Sequence, residues 1–192
     1  MADQYSNFAD LAAHERLGTD YRILVHDCGS MIAVIAPHGG RIEPGTSEIA
    51  GAVAGNDLSL YSFEGSRRGR AHGELHITSP RFDEPQALGL VAAVETAIAI
   101  HGRADTKDPA VWVGGRDLGL GDTLITCLNA AGFLARRCVG RLAGTDPTNI
   151  CNRTASGAGV QLELPRSLRN NLLTDHDQMQ VFAAAIRQAL AI

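Results

Sequence analysis

The 192-residue sequence has few cysteines, few aromatic residues and little excess charge of either sign. Its four cysteines show no C-x-x-C spacing, and a chain of this length needs no disulfide framework, so we expect free, partly buried thiols. The net charge of −4 argues against a general nucleic-acid binder. The basic cluster GSRRGR, with Arg67, Arg68 and Arg70, is short, and we interpret it as a solvated loop.

Long apolar runs are also missing. No segment reaches the roughly 18 consecutive apolar residues of a membrane span. Near the N-terminus, Asp3, Asp10 and Glu15 occur where a signal peptide would have a basic start and an unbroken apolar run. We therefore expect a cytoplasmic protein without a membrane partner. The composition, 45% apolar and 20% charged, is typical of a globular protein, and the length fits a single domain over residues 1–192.

Apolar runs alternate with helical patterns along the chain. The run MIAVIA at residues 31–36 is apolar throughout, which is typical of an inner strand covered on both faces. Pro37 is predicted to end it, and Thr46 or Ser47 to cap the helix that follows. Strands that alternate with helices predict a three-layer α/β/α domain with a mainly parallel or mixed central sheet. The predicted strands are 21–26, 31–36, 58–63, 74–77, 96–102, 111–115 and 160–165, and the predicted helices are about 6–17, 46–55, 86–95, 117–131 and 175–190.

Polar residues directly after buried strands are the first candidates for a site, because strand carboxyl ends bring their loops to one edge of such a sheet. In APHGGRIEPG, the glycine pair permits a tight turn that can bring Glu43 back toward His38. That loop is equally compatible with a glycine turn and a solvated glutamate. His101, at the end of IAIHG, favours a site, because an imidazole after five apolar residues needs a buried partner. His38, Glu43 and His101 then match the ligand set of catalytic zinc sites, which leave one position for water.

Such a site also needs a general base, and Glu163 is our candidate. The segment VQLELP alternates and places Gln161 and Glu163 on one face of a strand, where a charge within an apolar run is costly unless it is used. The alternative is a strand face open to water. His76, in HITSPRFDEP, could be a fourth ligand or an outer partner, and it ranks below His101 because it lacks the buried strand context.

Five motifs, PHGGRIEPGT, ELHITSPRFDEP, IAIHG, NICNR and GVQLELPRSLR, resemble in this order the phage-type poly-γ-glutamate hydrolase family. The resemblance covers residues 5 to about 169. It implies a zinc-dependent hydrolase with a fold like that of the zinc carboxypeptidases. Carried across by motif, the zinc ligands fall on His38, Glu43 and His101, and Glu163 matches the carboxypeptidase general base.

The resemblance also suggests residues that would hold substrate. Asn152 and Arg153 of NICNR are similar to the Asn-Arg pair of zinc carboxypeptidases, although here the pair follows the third ligand. The spacing of His38 and Glu43, with four residues between them instead of two, is another departure from those enzymes. A γ-glutamate polymer presents an α-carboxylate on every residue, so its cleft should carry arginines. The candidates are Arg81, Arg153, Arg166 and Arg169.

The sequence therefore predicts a zinc-dependent amide hydrolase that cleaves γ-glutamyl bonds through a metal-activated water. Its partner would be a polyanionic γ-glutamyl polymer or a small acidic amide. One alternative is another zinc carboxypeptidase or an N-acyl-amino-acid amidohydrolase, since either would use the same metal. A second alternative, from a different class, is a non-catalytic, phage-related module that binds nucleic acid through GSRRGR.

Overall fold

A computed structural model describes residues 3–67 and 71–191. Its strands are β1 (Tyr21–His26), β2 (Ile32–Gly40), β3 (Ser59–Gly65), β4 (Thr96–Arg103), β5 (Val111–Gly115), β6 (Ala135–Arg137) and β7 (Val160–Pro165). They form one seven-stranded sheet in the order β1-β3-β2-β4-β7-β5-β6. The pairs β1–β3 and β7–β5 are antiparallel and the other neighbours are parallel, so the sheet is mixed.

Helices cover both faces of this sheet. They are α1 (Phe8–His14), α2 (Thr46–Ala54), α3 (Ala71–Leu75), α4 (Pro85–Ala92), α5 (Leu118–Ala130), α6 (Arg166–Thr174) and α7 (His176–Ala189). Successive residues of β2 alternate between two apolar cores: Val34 packs with α2, α5 and α7, whereas Ala33 and Ile35 pack with α1 and α4. The continuous apolar run of β2 thus reflects burial on both faces. The prediction of a three-layer α/β/α domain is confirmed.

Several local predictions were wrong. The strand predicted at 74–77 is replaced by α3, which ends at Leu75; Leu75 and Ile77 are both buried, and an alternation this short does not distinguish a strand from a helix end. Strand β2 continues past Pro37 to Gly40, and the pairing register shifts between Ala36 and Gly39. Such an irregularity accommodates the missing N–H of a proline.

Caps and two short elements also differ from expectation. Asn7 caps α1 by accepting a hydrogen bond from the backbone N–H of Asp10, in place of the predicted Ser6. Helix α2 begins after Gly45, whose left-handed backbone (φ 96°) provides no side-chain cap. Strand β6 and helix α6 were not predicted. Strand β6 has only three residues, and α6 begins directly after β7. Neither is therefore set off by turn residues that would mark its boundaries in the sequence.

The basic segment is not simply a solvated loop. Arg67 forms ion pairs with Glu15, Asp20 and Glu74. These pairs join segments that are far apart in the sequence, and Arg67 therefore has a structural role. Arg68 and Arg70 lie outside the described residues. Within the described ranges, no helix combines the length and apolar character needed to cross a membrane.

Strands β2, β4 and β7 run parallel to one another. Their carboxyl ends therefore lie at one edge of the sheet. His38 lies near the end of β2, and His101 of β4 is directly opposite Glu163 of β7 in the pairing register. The fold thus brings together three residues that the sequence places on separate strands.

Candidate active site

The three predicted metal ligands meet at this edge. His38 Nδ1 lies 3.1 Å from His101 Nδ1 and 3.4 Å from Glu43 Oε1. His101 Nδ1 lies 3.7 Å from Glu43 Oε2. The turn that returns Glu43 to His38 is closed by a hydrogen bond of 2.9 Å from the Glu43 N–H to the His38 carbonyl. It passes through Gly40 in the left-handed region (φ 61°), as the glycine pair predicted.

The arrangement of donor atoms suits a metal ion. His38 Nε2 is 2.7 Å from the Ile77 carbonyl oxygen, which can only accept, so Nε2 carries the hydrogen and Nδ1 presents a lone pair. That lone pair faces a second imidazole nitrogen and a carboxylate. Tetrahedral zinc with bonds near 2.0–2.1 Å would place ligand atoms roughly 3.3–3.4 Å apart. The separations found here, 3.1 to 3.7 Å, bracket that value, so the donor set fits zinc.

The electrostatics of the cluster also favour positive charge at its centre. Burial raises the pKa of Glu43, but His38 and His101 outweigh it and hold that pKa well below the usual value. Burial lowers the pKa of His101, but Glu43 and Glu163 together bring it above the usual value. Glu43 Oε2 also accepts a hydrogen bond of 2.7 Å from the Gly102 N–H. Glu43 is therefore a fixed, ionised carboxylate.

His76 lies beside this cluster. Its ring centroid is 4.1 Å from that of His38, and its Nδ1 is 2.7 Å from Asp3 Oδ1. Ligand atoms of His38, Glu43 and His76 also lie within 4.8 Å of one another, which makes a second, looser set of three. Burial, followed by the charge of His38, lowers the pKa of His76 to about 4. The set with His101 has the shorter separations, and His76 remains a candidate fourth ligand or outer partner.

Glu163 is buried next to the cluster. It pairs with His101 on one side and with Trp112 of β5 on the other, and all six residues of β7 are buried. The alternative of a strand face open to water therefore does not apply. Burial raises the pKa of Glu163 against the opposing effect of His101. A carboxyl group with a raised pKa is suited to accept and return a proton near neutral pH.

A cavity of about 670 Å³ opens at this edge of the sheet. Its walls hold the candidate ligands and the candidate base in one space, together with three arginines. The lining includes His38, Glu43, His76, His101, Glu163, Arg81, Arg103 and Arg141. This size is within the range of cavities that bind small molecules.

The predicted substrate arginines separate into two groups. Arg81 lines the cavity and donates to Asp3 Oδ2. Arg153 donates to the carbonyl oxygens of Thr148 and Pro80, at 2.7 and 3.0 Å. Arg153 is not part of the cavity wall that the described residues form.

Arg166 and Arg169, the other two predicted arginines, also lie outside that wall. Arg166 is exposed at the start of α6. Arg169 is buried, and its guanidinium donates to the carbonyl oxygens of Pro44, Leu164 and Arg103. Arg169 therefore supports the loops behind the cluster.

Asn152 is likewise occupied with backbone. Its Nδ2 donates to the carbonyl oxygens of Gly144 and Asp146 at 2.7 and 2.8 Å, and its Oδ1 accepts from the N–H groups of Arg116 and Gly159 at 3.2 Å. Both ends of the amide are thus used. In this arrangement Asn152 holds the loops together and is not part of the described cavity lining.

Sequence reasoning missed three residues at the cavity. Asp3 lies 73 positions from His76, and no local pattern relates them. Arg141 follows a glycine in a loop without periodicity. Arg103 did carry a signal: it lies two positions after His101 on β4, and alternate residues of a strand share a face. Its guanidinium lies 3.9 Å from the ring centroid of Trp112.

Known proteins are similar to this chain in sequence and in fold. The family model described as poly-gamma-glutamate hydrolase matches residues 5–185. The SPbeta prophage-derived UPF0714 protein YoqZ of Bacillus subtilis (strain 168) is 42% identical over 173 residues, which cover 89% of this chain and 62% of that protein. The chain therefore spans less than two thirds of the length of that relative.

Two solved structures are similar over almost the full length. A bacteriophage poly-gamma-glutamate hydrolase has a TM-score of 0.92 and 34% identity, covering 99% of this chain and 97% of the other. A zinc-free apo form of YndL has the same TM-score of 0.92 and 34% identity, covering 99% of this chain and 98% of the other.

Proposed function

The chain belongs to the poly-γ-glutamate hydrolase family, and on that premise we propose that it is a zinc-dependent amide hydrolase that cleaves the γ-glutamyl bonds of poly-γ-glutamate. The family predicted from the sequence motifs is thereby confirmed. The observation that carries the proposal is the meeting of three ligand atoms, 3.1 to 3.7 Å apart, with a buried glutamate in one cavity. Zinc hydrolases combine these two features.

In this proposal His38, Glu43 and His101 hold the metal. Zinc, when bound, supplies a Lewis acid and lowers the pKa of a coordinated water. The Ile77 carbonyl fixes the hydrogen of His38 on Nε2, and the Gly102 N–H orients the Glu43 carboxylate. Partners of this kind keep first-layer ligands in the orientation that a metal needs.

Glu163 acts as the general base. The Gln161 side chain donates from Nε2 to Glu163 Oε1 at 3.1 Å, and we assign proton transfer to the other oxygen, Oε2. Glu163 takes the proton of the attacking water and returns it to the leaving amine. Its raised pKa, caused by burial, lets it hold the proton between these two steps.

The cavity suits an acidic chain. Arg81, Arg103 and Arg141 all contribute to its lining. Arg81 is the member of the predicted substrate-binding set that is at the cavity, and we propose that it faces the incoming polymer. The remaining predicted substrate residues lie outside the described cavity lining, and we propose that they affect substrate binding indirectly, by positioning the loops: Asn152, Arg153, Arg166 and Arg169.

The test is a direct assay of chain length. Purified protein loaded with zinc is incubated with γ-linked polyglutamate, α-linked polyglutamate and an N-acyl glutamate, and the products are sized by chromatography. We expect shortening of the γ-linked polymer alone, loss of activity on chelation, and recovery when zinc is restored. Cleavage of only the α-linked polymer or the N-acyl glutamate would overturn the substrate, and hydrolysis that survives complete metal removal would overturn the mechanism.

A further inference from the structure

Arg141 differs from the other two arginines at the cavity. Arg81 is paired with Asp3, and Arg103 donates to the backbone carbonyls of Asp108 and Ala110 at 2.7 and 2.6 Å. In the part of the chain that the structure describes, the guanidinium of Arg141 enters no hydrogen bond and no ion pair. Arg141 is thus a cavity cation without a counter-charge.

Pairing decides which arginine can receive an anion at least cost. Arg81 would have to give up part of its contact with Asp3, whose carboxylate also accepts from His76 Nδ1 and from the Thr78 N–H. Arg103 would have to leave carbonyl groups that would then be buried without a donor. Arg141 has no such ion pair or hydrogen bond to give up among the described residues. A carboxylate that enters the cavity therefore finds Arg141 available for a charge-assisted, bidentate contact.

The backbone that carries Arg141 is firmly held. Arg141 lies in a 3-10 turn, Gly140–Leu142. Just beyond it, Gly144 has a left-handed backbone (φ 64°). A Cβ at Gly144 would lie 2.4 Å from the Gln161 side chain, so only glycine allows this close approach. Three hydrogen bonds fix the segment: Gln161 Nε2 to the Leu142 carbonyl at 2.9 Å, the Gly115 N–H to the Ala143 carbonyl at 2.7 Å, and Asn152 Nδ2 to the Gly144 carbonyl at 2.7 Å.

One side chain ties this turn to the proposed base. Gln161 Nε2 donates both to the Leu142 carbonyl at 2.9 Å and to Glu163 Oε1 at 3.1 Å. The Arg141 turn and Glu163 therefore share an anchor, and their separation is set by the fold. A substrate group bound at Arg141 is thereby positioned relative to the group that moves the proton.

We propose that Arg141 binds an α-carboxylate of the γ-glutamyl chain next to the scissile bond and so determines the preference for acidic γ-linked substrates. The inference rests on the proposed function, because it assigns a specificity residue to the same cavity. It gives the α-carboxylate next to the scissile bond a partner that the sequence motifs did not indicate. Arg141 acts in binding and leaves the chemistry of bond cleavage to Glu163 and the metal ligands.

The experiment compares two substrates across three variants. The substrates are a γ-linked glutamate oligomer and the same oligomer with its α-carboxylates converted to amides. The variants are Arg141→Ala, Arg141→Lys and the matched control Arg16→Ala, which removes an exposed arginine outside the described cavity lining. Zinc content and thermal unfolding are measured for each protein.

We expect Arg141→Ala to lower kcat/KM on the acidic oligomer by roughly 10- to 100-fold, mainly through KM, because a charge-assisted bidentate contact is lost. Arg141→Lys should recover part of this loss. The amidated oligomer should be cleaved equally by wild type and Arg141→Ala. The ratio of kcat/KM on the acidic oligomer to kcat/KM on the amidated oligomer should therefore fall in Arg141→Ala. Arg16→Ala should resemble wild type on both substrates.

Two results would overturn the inference while leaving the proposed function intact: no effect of Arg141→Ala on the acidic oligomer, or an equal loss on both oligomers, which would mark a structural role. Calorimetric binding of γ-linked triglutamate to metal-stripped protein gives a second readout. Binding that is weakened in Arg141→Ala and not in Arg16→Ala supports the inference, and equal binding by wild type, Arg141→Ala and Arg16→Ala overturns it. If zinc-loaded wild type cleaves no γ-linked oligomer, the proposed function fails and the inference fails with it.

Discussion

Two polar clusters of this molecule differ in how their polar groups are hydrogen-bonded. The first, which we call the Arg67 cluster, consists of Arg67, Glu15, Asp20 and Glu74. Arg67 Nη1 donates to Glu74 at 2.7 Å, Nη2 donates to Asp20 at 3.0 Å and also to Glu15, and the Tyr5 hydroxyl donates to Glu15 at 2.6 Å. Each of these described contacts joins a donor to an acceptor.

The second, the imidazole cluster, consists of His38, Glu43, His76 and His101. With Nε2 of His38 committed to a carbonyl, its Nδ1 presents a lone pair to His101 Nδ1 at 3.1 Å and to a Glu43 carboxylate oxygen at 3.4 Å. These atoms repel one another unless a cation or a proton lies between them.

The comparison shows how a structural polar cluster differs from a site. A cluster whose donors and acceptors match needs nothing more and stabilises the fold. A cluster that directs lone pairs at one point is completed by a cation or by a proton. The Arg67 cluster is also the more exposed of the two, with the Arg67 side chain 34% exposed against 3% for His38 and His101; the direction of the hydrogen bonds is the second difference.

The largest expected effect comes from removing one lone pair of the imidazole cluster. His101→Gln should lose zinc and lower hydrolysis by about 1,000-fold or more, since Lewis-acid stabilisation contributes several kcal/mol and each 1.36 kcal/mol is tenfold in rate. Metal analysis and the polyglutamate assay measure both. Arg67→Met is the control and should retain zinc.

His76→Gln, analysed by the same zinc and activity measurements, distinguishes the ligand set with His101 from the set with His76. If His101→Gln retains zinc at wild-type affinity while His76→Gln loses it, the metal belongs to the looser set with His76, and the assignment of His101 is wrong.

Glu163→Gln tests whether the base is separate from the metal ligands. We expect a rate loss of roughly 100- to 10,000-fold, because a general base of this kind contributes that much. Zinc content and thermal unfolding should stay close to wild type. Activity within a few-fold of wild type would remove Glu163 from the mechanism, and loss of zinc together with activity would make it part of the metal site.

Arg67→Met should have the converse effect and reduce stability without touching catalysis. It leaves three carboxylates without their shared cation. Because the Arg67 side chain is 34% exposed, we expect the free energy of unfolding to fall by about 1–3 kcal/mol. Urea denaturation of the metal-free protein measures this. A variant as stable as wild type, or one with reduced zinc affinity, would contradict the division of roles between the clusters.

The smallest expected effect is a pH dependence of the stability difference between wild type and Arg67→Met. The pKa of Asp20 is lowered, first by the hydrogen bond from the Arg16 N–H and then by Arg67. A lowered folded-state pKa adds stability above the unfolded value of about 4, and this stability is lost as the pH falls through the folded pKa. In Arg67→Met part of the lowering is absent. The difference in urea midpoint between the two proteins should therefore narrow below about pH 4; a constant difference down to pH 3 would contradict this.

Some parts of the site could be predicted because their signals are local. The run IAIHG places an imidazole at the end of a buried strand, and the glycine pair after His38 permits the turn to Glu43. Both follow from strand periodicity and backbone freedom over a few residues. The alternation of VQLELP likewise placed Gln161 and Glu163 on one face, and in the structure a hydrogen bond of 3.1 Å joins them.

Other parts could not be predicted because their partners are distant in sequence. Asn152 and Arg153 form a polar pair that could bind substrate, but their side chains are occupied by carbonyls and N–H groups of other loops. Conversely, Arg141 carries no motif, and it is notable only because its turn is anchored at the cavity while its neighbours are paired. Which arginine is unpaired depends on every contact around it.

The sequence by itself determined the layered α/β architecture and the strand ends that carry His38, His101 and Glu163, because periodicity and burial act over a few neighbouring residues. Only the tertiary structure decided that the Nδ1 atoms of His38 and His101, 63 positions apart, lie 3.1 Å from each other. It also decided that Asp3 contacts His76, whose ring packs against that of His38. Direction and pairing of side chains are set by contacts between distant segments, and these contacts separate a cluster of matched donors and acceptors from one that directs lone pairs at a common point.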